Sequence, residues 1–439
     1  RVDRYISYYF TGAYTFQGRY TLSISARKDE SNLFGVRTNR KGLPLLSLGA
    51  SWDIGSENFY TWHWLPRLRL RATHGYNGNV NRSITAYTTA SPSSFNSYGA
   101  LTNEIINPLN PDLRWEKIQI SNFGLDFSVA KDIIEASIEY YIKKGTDLIG
   151  RKTINATTGN TQMFANTAEM QGSGIDISVT TRNVNRRLKW ETTLLFNKST
   201  DKVTGYEIRM NSIGSYYSPI QFNPLEDHPL YSVYSLRWGG LDPLSGDPLG
   251  YLNDTLSKNY TAIINSRSSD DLIYNGPANP IWFGSLRNTF SWKQFTFSFN
   301  ITWKAGHYFR RSSIEYNGLV VAGTTGHPDF EQRWQKPGDE QFTNIPSFLY
   351  STSTNRDVFF KYSEVLVEKA DHIRLQDIQL SYDLTRNQMK RLPMQLIRFY
   401  FYANNLGILW KATGKDIDPD YVSSIPNPRT FSAGIKLEF

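Results

Sequence analysis

The chain has 439 residues, 14% of them aromatic, and a formal net charge of +8 at pH 7. This aromatic content excludes an intrinsically disordered chain, because aromatic side chains supply large surfaces for burial. The lack of cysteine excludes a disulfide framework and a thiolate metal site. No run of about 20 apolar residues is present, which excludes a helical membrane protein.

The dominant pattern along the chain is the alternation of apolar and polar residues. In Gln294–Ala305, all odd-numbered residues are apolar and all even-numbered residues are polar. In a β-strand these two sets point to opposite sides of the sheet. The same alternation predicts strands, in chain order, at residues 6–16, 20–27, 46–54, 68–73, 118–127, 134–143, 175–180, 188–197, 282–290, 295–305, 373–380, 397–404 and 430–439. The sequence therefore predicts an all-β fold with about thirteen strands.

Two of these strands change the parity of their apolar residues midway. Ile120 gives way to Phe123, and Leu375 gives way to Ile378. A β-bulge adds one residue to a strand and so produces such a change. We therefore expect one bulge at each of these two places.

The predicted connections alternate between short turns and long segments. The long segments cover residues 76–114, 144–171, 206–280, 306–369 and 405–429. Short turns on one side and long loops on the other are typical of a transmembrane antiparallel β-barrel of the bacterial outer membrane. The alternative is a large soluble β-protein, but its strands average only about 5–6 residues.

Aromatic residues at strand ends are consistent with the two girdles of a membrane barrel. If the last strand descends to the periplasm, the predicted periplasmic girdle contains Phe16, Tyr20, Trp52, Trp190, Phe290, Tyr382 and Phe439. The predicted extracellular girdle contains Tyr140, Trp282 and Trp303. With about thirteen strands the first strand also descends, whereas bacterial single-chain barrels have even strand numbers. We therefore expect the chain to be the C-terminal portion of a larger barrel.

Several motifs follow one another in a fixed order along the chain. They are Phe34-Gly35, Leu68–Ala72 with Gly75–Asn79, Asn110–Glu116 with Asn122–Asp126, Gly240–Pro243 with Gly246–Pro248, His372–Leu375, Leu380–Tyr382, Ala403–Leu406, and Pro428–Ser432 up to Phe439. In these motifs and their order the chain resembles the SusC/RagA family of TonB-linked outer-membrane transporters of Bacteroidetes. The resemblance spans the whole chain but specifies no substrate.

The resemblance implies an active importer in the outer membrane, a multi-pass barrel of about 22 strands with a plugged lumen. Residues 1–439 then form the C-terminal part of the barrel, and the plug, the TonB box and the other N-terminal parts are absent from this sequence. The implied partners are a SusD-like surface lipoprotein that acts as a lid, and the TonB complex, reached through the missing N-terminal region. The implied solute is an oligosaccharide or a peptide. By the same resemblance, Phe439 is the signal read by the outer-membrane assembly machinery.

The sequence contains no motif of a known catalytic or cofactor site, so we expect no enzyme, no cofactor and no metal. The only acid–base candidates are Asp227 with His228, and His327 with Asp329. The spacing of Asp416, Asp418 and Asp420 is that of the start of a calcium loop, but the glycine and the glutamate that such a loop needs do not follow. We expect solvated loop residues in all three cases.

A transport lumen must be polar, and the polar parity of the strands carries many charges. We expect most of these to form cross-strand ion pairs or to contact the missing plug. The residues predicted as solute contacts are Tyr87, Phe95, Tyr98, Tyr216, Tyr217, Phe222, Arg398, Tyr400 and Tyr402. For the loop aromatics among them, packing within a loop or against the lipoprotein is the favoured alternative. Outer-membrane lipid and lipopolysaccharide are the expected surroundings, and the dispersed basic residues give no sign of nucleic-acid binding.

Two other functions remain open at this point. A passive porin would have no plug and a lumen narrowed only by its own loops. An outer-membrane adhesin or enzyme would act through its long extracellular loops without a proton-motive force. The sequence upstream of residue 1 discriminates among the three.

Overall fold

The computed structural model describes residues 4–32, 42–79, 81–95, 97–130, 132–208, 212–218, 223–321, 323, 326–350, 352–386, 394–422 and 424–439. The chain divides into two compact units. The first unit contains residues 1–209 and 225–230, and the second contains residues 210–224 and 231–439. No helix in the described part of the chain is long and apolar enough to cross a membrane.

The first unit is built from long antiparallel strands. Its strands are β1 (Tyr5–Phe16), β2 (Tyr20–Ser31), β3 (Gly42–Asp53), β4 (Arg67–Asn79), β5 (Thr89–Phe95), β6 (Leu101–Asn107), β7 (Glu116–Val129), β8 (Ile134–Thr153), β9 (Gln162–Asn185) and β10 (Leu188–Gly205). Short 3₁₀ turns lie at Ile54–Ser56 and Ala156–Thr158. The eight long strands pair in the order β1-β2-β3-β4-β7-β8-β9-β10, and β5 and β6 form a separate hairpin.

The second unit combines long strands with two folded insertions. Its strands are β11 (Ser232–Leu236), β12 (Gly250–Leu252), β13 (Thr255–Ser257), β14 (Leu272–Pro277), β15 (Trp282–Trp292), β16 (Phe295–Ala305), β17 (Tyr308–Arg310), β18 (Val367–Lys369), β19 (His372–Thr385), β20 (Leu396–Lys411) and β21 (Thr430–Glu438). Its helices are α1 (Gly214–Tyr217), α2 (Tyr260–Ile264), α3 (Tyr316–Val321) and α4 (Thr354–Lys361), with 3₁₀ turns at Ser269–Asp271, Pro328–Gln332, Asp339–Gln341 and Glu364–Leu366. The five long strands pair in the order β15-β16-β19-β20-β21.

The prediction of an all-β fold with thirteen long strands is confirmed, since the described residues contain eight long strands in the first unit and five in the second. The strands are longer than predicted where β8 and β9 extend to 20 and 24 residues. The expected loop over residues 144–171 is therefore wrong for most of its length. Only residues 154–161 join the two strands, and the 3₁₀ turn within them ends at Gly159, whose φ of 84° suits glycine.

The two predicted bulges have different outcomes. The bulge in β19 is confirmed, because Gln376 is left out of the pairing of β19 with both neighbouring strands. The bulge in β7 is wrong, because β7 pairs without a break with both β4 and β8. Ile120 and Phe123 therefore lie on opposite faces of a regular strand. A strand with apolar residues on both faces produces the same sequence pattern as a bulge.

Each unit has a small hydrophobic core outside its long strands. In the first unit Ile84, Ala86, Leu113 and Trp115 pack together, with Ile149 and Phe164 against them. In the second unit the corresponding cluster contains Ile314, Tyr316, Ile345, Phe360 and Leu366, with Trp238, Leu319, Phe330 and Val365 against it. The long connections are thus folded insertions that anchor themselves on their own apolar residues.

Candidate functional site

The long strands of the second unit have one polar face and one apolar face. Three rows of paired residues form the polar face: Arg287, Asn300, Asp377 and Asn404; Thr289, Ser298, Gln379, Tyr402 and Ser432; and Ser291, Thr296, Ser381, Tyr400 and Gly434. A row of the apolar face contains Phe290, Phe297, Leu380, Phe401 and Ala433. A wall of this kind can border water on one side and lipid on the other.

Ion pairs between neighbouring strands neutralise charges on the polar faces. In the first unit Arg71 donates to Asp126 at 2.7 and 2.9 Å and to Glu139 at 2.6 Å. In the second unit Arg398 donates to both carboxylate oxygens of Asp383, at 2.7 and 2.6 Å. Arg398, predicted as a solute contact, is thus held in a bidentate cross-strand pair. Pairs of this type were the expected alternative role for the polar-face charges.

Tyr400 and Tyr402 lie on the same polar face as Arg398. The hydroxyl end of the Tyr400 ring lies over Gly434 of the next strand, where a Cβ atom would overlap it. Glycine at this position therefore leaves room for the Tyr400 ring, which is 38% exposed. Tyr402 is half-buried two residues further along β20. This arrangement presents an aromatic surface among hydroxyl and amide side chains.

Three of the predicted solute contacts belong to the insertion that carries the β5–β6 hairpin. Tyr87, Phe95 and Tyr98 are 56%, 69% and 94% exposed. The base of this insertion is fixed, because Asn107 Nδ2 donates to the carbonyl oxygen of Thr85 at 2.6 Å and the cluster around Trp115 packs beneath it. More than half of the surface of each of these three side chains is exposed. Phe222, a further candidate, lies outside the described residues, as does the motif Phe34-Gly35.

The neighbouring candidates Tyr216 and Tyr217 in α1 differ in their surroundings. Tyr217 is only 6% exposed, and its hydroxyl donates to the carbonyl oxygen of Ile264 at 3.1 Å. Burial raises the pKa of Tyr217 to about 12. Tyr216 is half-buried, and its ring lies edge-to-face with that of Tyr234, with 6.1 Å between the ring centres. Tyr217 therefore packs inside the insertion and presents no surface to a solute, which was the favoured alternative.

Sequence analysis missed Arg310, around which these tyrosines are arranged. Its guanidinium donates to the carbonyl oxygen of Tyr217 at 3.0 Å and to that of Tyr234, and lies 4.9 Å from the Tyr362 ring centre. Burial lowers the pKa of Arg310 to about 10. Nothing in the local sequence distinguishes this arginine, because its acceptors come from two distant segments of the chain.

The motif Gly240–Pro243 with Gly246–Pro248 is tied to distant residues of one insertion. Asp247 accepts a hydrogen bond from Arg356 Nε at 2.9 Å, and Arg356 also donates to the carbonyl oxygen of Ser347 at 2.9 Å. Gly246 has φ of 65°, and Trp334 occupies the space that a Cβ atom there would need. The motif therefore serves the architecture of the insertion.

The aspartates of the calcium-like segment are held by cations of the strands. Asp418 binds Arg374, and Asp420 accepts from Lys304 at 2.7 Å and lies 3.2 Å from His372 Nε2. Burial by itself raises the pKa of Asp420, but the hydrogen bond from His372 and the pair with Lys304 outweigh it and hold the pKa well below its usual range. Within the described ranges no group of acidic and histidine residues could hold a metal ion.

The two histidine–aspartate pairs are also structural. Asp227 pairs with Lys202 at 2.6 Å, and the imidazole of His228 faces the carbonyl oxygen of Glu226. In the other pair, Asp329 accepts from Arg311 and from the hydroxyl of Ser313, both at 2.5 Å. This serine donates to the carboxylate and not to the imidazole of His327, so the order of a Ser–His–Asp triad is missing.

Most aromatic residues predicted as girdles lie within a few residues of a strand end, but Tyr140 does not. The prediction for Tyr140 is wrong, because β8 continues to Thr153 and places this residue well inside the strand. Phe16, Tyr20 and Trp52 are in register on β1, β2 and β3, and the rings of the last two stack at 6.2 Å. The ring centres of Tyr382 and Phe295 are 4.7 Å apart. At least partly exposed side chains are also found at Tyr140, Trp190, Trp282, Phe290, Trp303 and Phe439. Sequence analysis missed Trp410, which pairs with Ile373 beside Trp303. The two aromatic girdles therefore stay a prediction.

Comparisons with known proteins relate the chain to one group of receptors. It is 23% identical over 472 residues to TonB-dependent receptor P3 of Formosa agariphila, and 25% identical over 466 residues to TonB-dependent receptor SusC of Bacteroides thetaiotaomicron. These matches cover 97% and 99% of the chain but only 44% of each relative. The chain thus spans less than half the length of the curated relatives that it matches. No family model matches it.

Among solved structures, the chain is similar to the RagAB peptide transporter. The TM-score is 0.79 at 22% identity, over 99% of the chain and 48% of the matched structure. The structure of the RagAB peptide importer in its open-open state gives a TM-score of 0.77. The chain is thus a homologue of SusC/RagA-type TonB-dependent receptors over nearly its whole length, with the fold of part of their outer-membrane β-barrel.

Proposed function

We propose that the protein containing this chain imports an oligomeric nutrient across the outer membrane, energised through TonB. The observation that carries the proposal is the polar face formed by the rows from Arg287 to Asn404 and from Thr289 to Ser432. Such a face can line a hydrated passage, while the apolar face contacts lipid. The homology to TonB-dependent receptors supports the proposed coupling to TonB.

The proposed solute is a peptide or a glycan. A peptide is supported by the likeness to a peptide transporter. A glycan is supported by Tyr400, since a flat aromatic ring among hydroxyl and amide groups can stack on a sugar ring. The predicted contacts Tyr87, Phe95, Tyr98 and Tyr402 remain candidates for either solute.

We propose a SusD-like surface lipoprotein as the partner. The similar structure is that of the RagAB importer, and the exposed aromatic residues of the β5–β6 insertion offer apolar surface to a second protein. The TonB complex is the second proposed partner, on the ground of the homology to TonB-dependent receptors.

We further propose that residues 1–439 are the C-terminal portion of a larger, plugged barrel. Within the described residues β1 pairs with β2 alone, and β21 pairs with β20 alone. Each strand thus has one open edge, and an open edge in lipid costs several kcal/mol per unsatisfied group. Further strands of the whole protein are expected to pair with these edges.

The test uses the full-length protein in its native outer membrane. Uptake of labelled peptides and labelled oligosaccharides is measured in cells with and without a functional TonB complex. We expect TonB-dependent uptake of one solute class and co-purification of a lipoprotein in stoichiometric amount. Uptake that persists without TonB would favour the porin, and activity on intact cells without a proton-motive force would favour the adhesin or enzyme.

A further inference from the structure

A polar pocket of about 540 Å³ lies between the end of β20 and the connection that follows it. Its lining includes Arg374, Gly407, Lys411, Asp416, Asp418 and Arg429. The volume lies within the range of pockets that bind small ligands. None of these residues was predicted as a solute contact.

The floor of this pocket is an irregular part of β20. β21 pairs with β20 only as far as Asn404, so the last seven residues of β20 (405–411) have no strand on that side among the described residues. Two register shifts against β19 interrupt the same stretch. Asn405 and Gly407 have φ of 55° and 145°. Bulged residues leave backbone groups out of the ladder, so the floor can offer N–H and C=O groups to a ligand.

The charges of the pocket leave one positive charge over. Arg374 is neutralised by Asp418, to which it donates at 2.6 and 2.8 Å. Lys411 Nζ donates to the carbonyl oxygen of Ile417 at 3.0 Å. It lies 3.9 Å from the carboxylate of Asp416, which is fully exposed to solvent.

Arg429 is the cation that the pocket leaves without a carboxylate. Among the described residues, Arg429 forms no ion pair. Its Nη2 lies 3.6 Å from the position that a Cβ atom of residue 407 would take, and so borders Gly407. Arg429 and Lys411 thus line one pocket, in which Asp418 is taken up by Arg374 and the remaining carboxylate, that of Asp416, is exposed and 3.9 Å from Lys411.

We propose that this pocket binds the C-terminal carboxylate of a short, extended peptide. Arg429 donates to the carboxylate and Lys411 adds a second positive charge, while the bulged backbone at Gly407 hydrogen-bonds the last peptide groups. Arginine suits this role because its planar guanidinium matches a carboxylate bidentately. The inference rests on the proposed function, of which it names the solute class and one contact site.

The experiment compares tetra-alanine with its C-terminal amide, by calorimetric titration into the full-length receptor in detergent. We expect wild-type protein to bind the free acid at least about tenfold more tightly than the amide, as a charge-assisted hydrogen bond predicts. Arg429→Gln removes this preference and Lys411→Gln reduces it. Lys415→Gln is the matched control, because it removes a charge from the same connection at a residue that does not line the pocket. It retains the preference.

Equal affinities of the acid and the amide for the wild-type protein overturn the inference. So does an Arg429→Gln variant that loses thermal stability but keeps the preference, since the arginine then serves the barrel alone. Binding of a mixed peptide digest without binding of tetra-alanine refutes the pocket and leaves peptide import standing. Failure of every peptide to bind refutes peptide import as well.

Discussion

Arg374 on β19 donates from one guanidinium nitrogen to both carboxylate oxygens of Asp418, 44 residues along the chain. The side chain of Arg374 is 6% exposed and that of Asp418 is 15% exposed. Lys304 and His372 hold Asp420 two residues further on. The pairs fix the connection between β20 and β21 to the strands and so shape one side of the pocket.

Removing one partner of this pair should release the connection. Arg374→Ala leaves the carboxylate of Asp418 without its cation, and breaking a buried pair costs about 3–5 kcal/mol. We expect faster hydrogen exchange in residues 412–422 and faster proteolysis there. Lys436→Ala is the control, because its pair with Glu438 is exposed and contributes at most about 1 kcal/mol. Unchanged exchange in Arg374→Ala would contradict the assignment.

The imidazole of His307 should make the second unit sensitive to acid. Burial, and to a smaller extent the neighbouring His372, lowers the pKa of His307 from 6.5 to about 4. As the pH falls from about 6.5 to about 4, the unfolded chain binds a proton that the folded chain does not. The free energy of unfolding should therefore fall over this range, by up to about 3 kcal/mol.

This loss is measured by urea unfolding of the full-length receptor in detergent at several pH values. His307→Phe removes the titrating group and should flatten the pH dependence between about pH 6.5 and pH 4. His63→Phe, at an exposed position of the first unit, should retain it. An equally steep dependence in His307→Phe and wild type rules His307 out as the cause.

The contact between Tyr400 and Gly434 can be tested by a double-mutant cycle. Gly434→Ala places a Cβ atom in the space of the Tyr400 ring, and overpacking of this kind costs about 1–3 kcal/mol. Tyr400→Ala in the same chain should remove most of that cost. The measurement is the unfolding midpoint in detergent of the two single variants and the double variant. Additive effects would show that the ring does not depend on Gly434.

The last strand should carry the information for assembly. Leu437 lies on the apolar face of β21 beside Ile397, and a charge on a lipid-facing position costs up to about 2–4 kcal/mol for lysine and less for aspartate. Deletion of Phe439, or Leu437→Asp, should lower the amount of receptor in the outer membrane. Lys436→Asp, on the polar face, is the control. Normal outer-membrane amounts of the Phe439 deletion variant and of Leu437→Asp would refute the prediction.

The long strands and their two faces could be predicted from the sequence because neighbouring side chains in a strand point to opposite sides. Phe295–Ala305 shows this, since its alternation alone separates the apolar from the polar face. The prediction failed at β7, where apolar residues occur on both faces of a regular strand. It also ended β8 too early and began β9 too late, because residues 144–153 and 162–171 do not alternate strictly between apolar and polar.

The ion pairs and the pocket were decided by the tertiary structure. Local alternation determined that Arg374 and Arg398 lie on a polar face, but not that one binds Asp418 across a long connection and the other binds Asp383 on the next strand. Likewise the spacing of Asp416, Asp418 and Asp420 by itself fits the start of a calcium loop. In the folded chain, however, Arg374 pairs with Asp418, and Lys304 and His372 pair with Asp420. A strand's faces follow from the geometry of adjacent residues, whereas the partners of a charge depend on where distant segments meet.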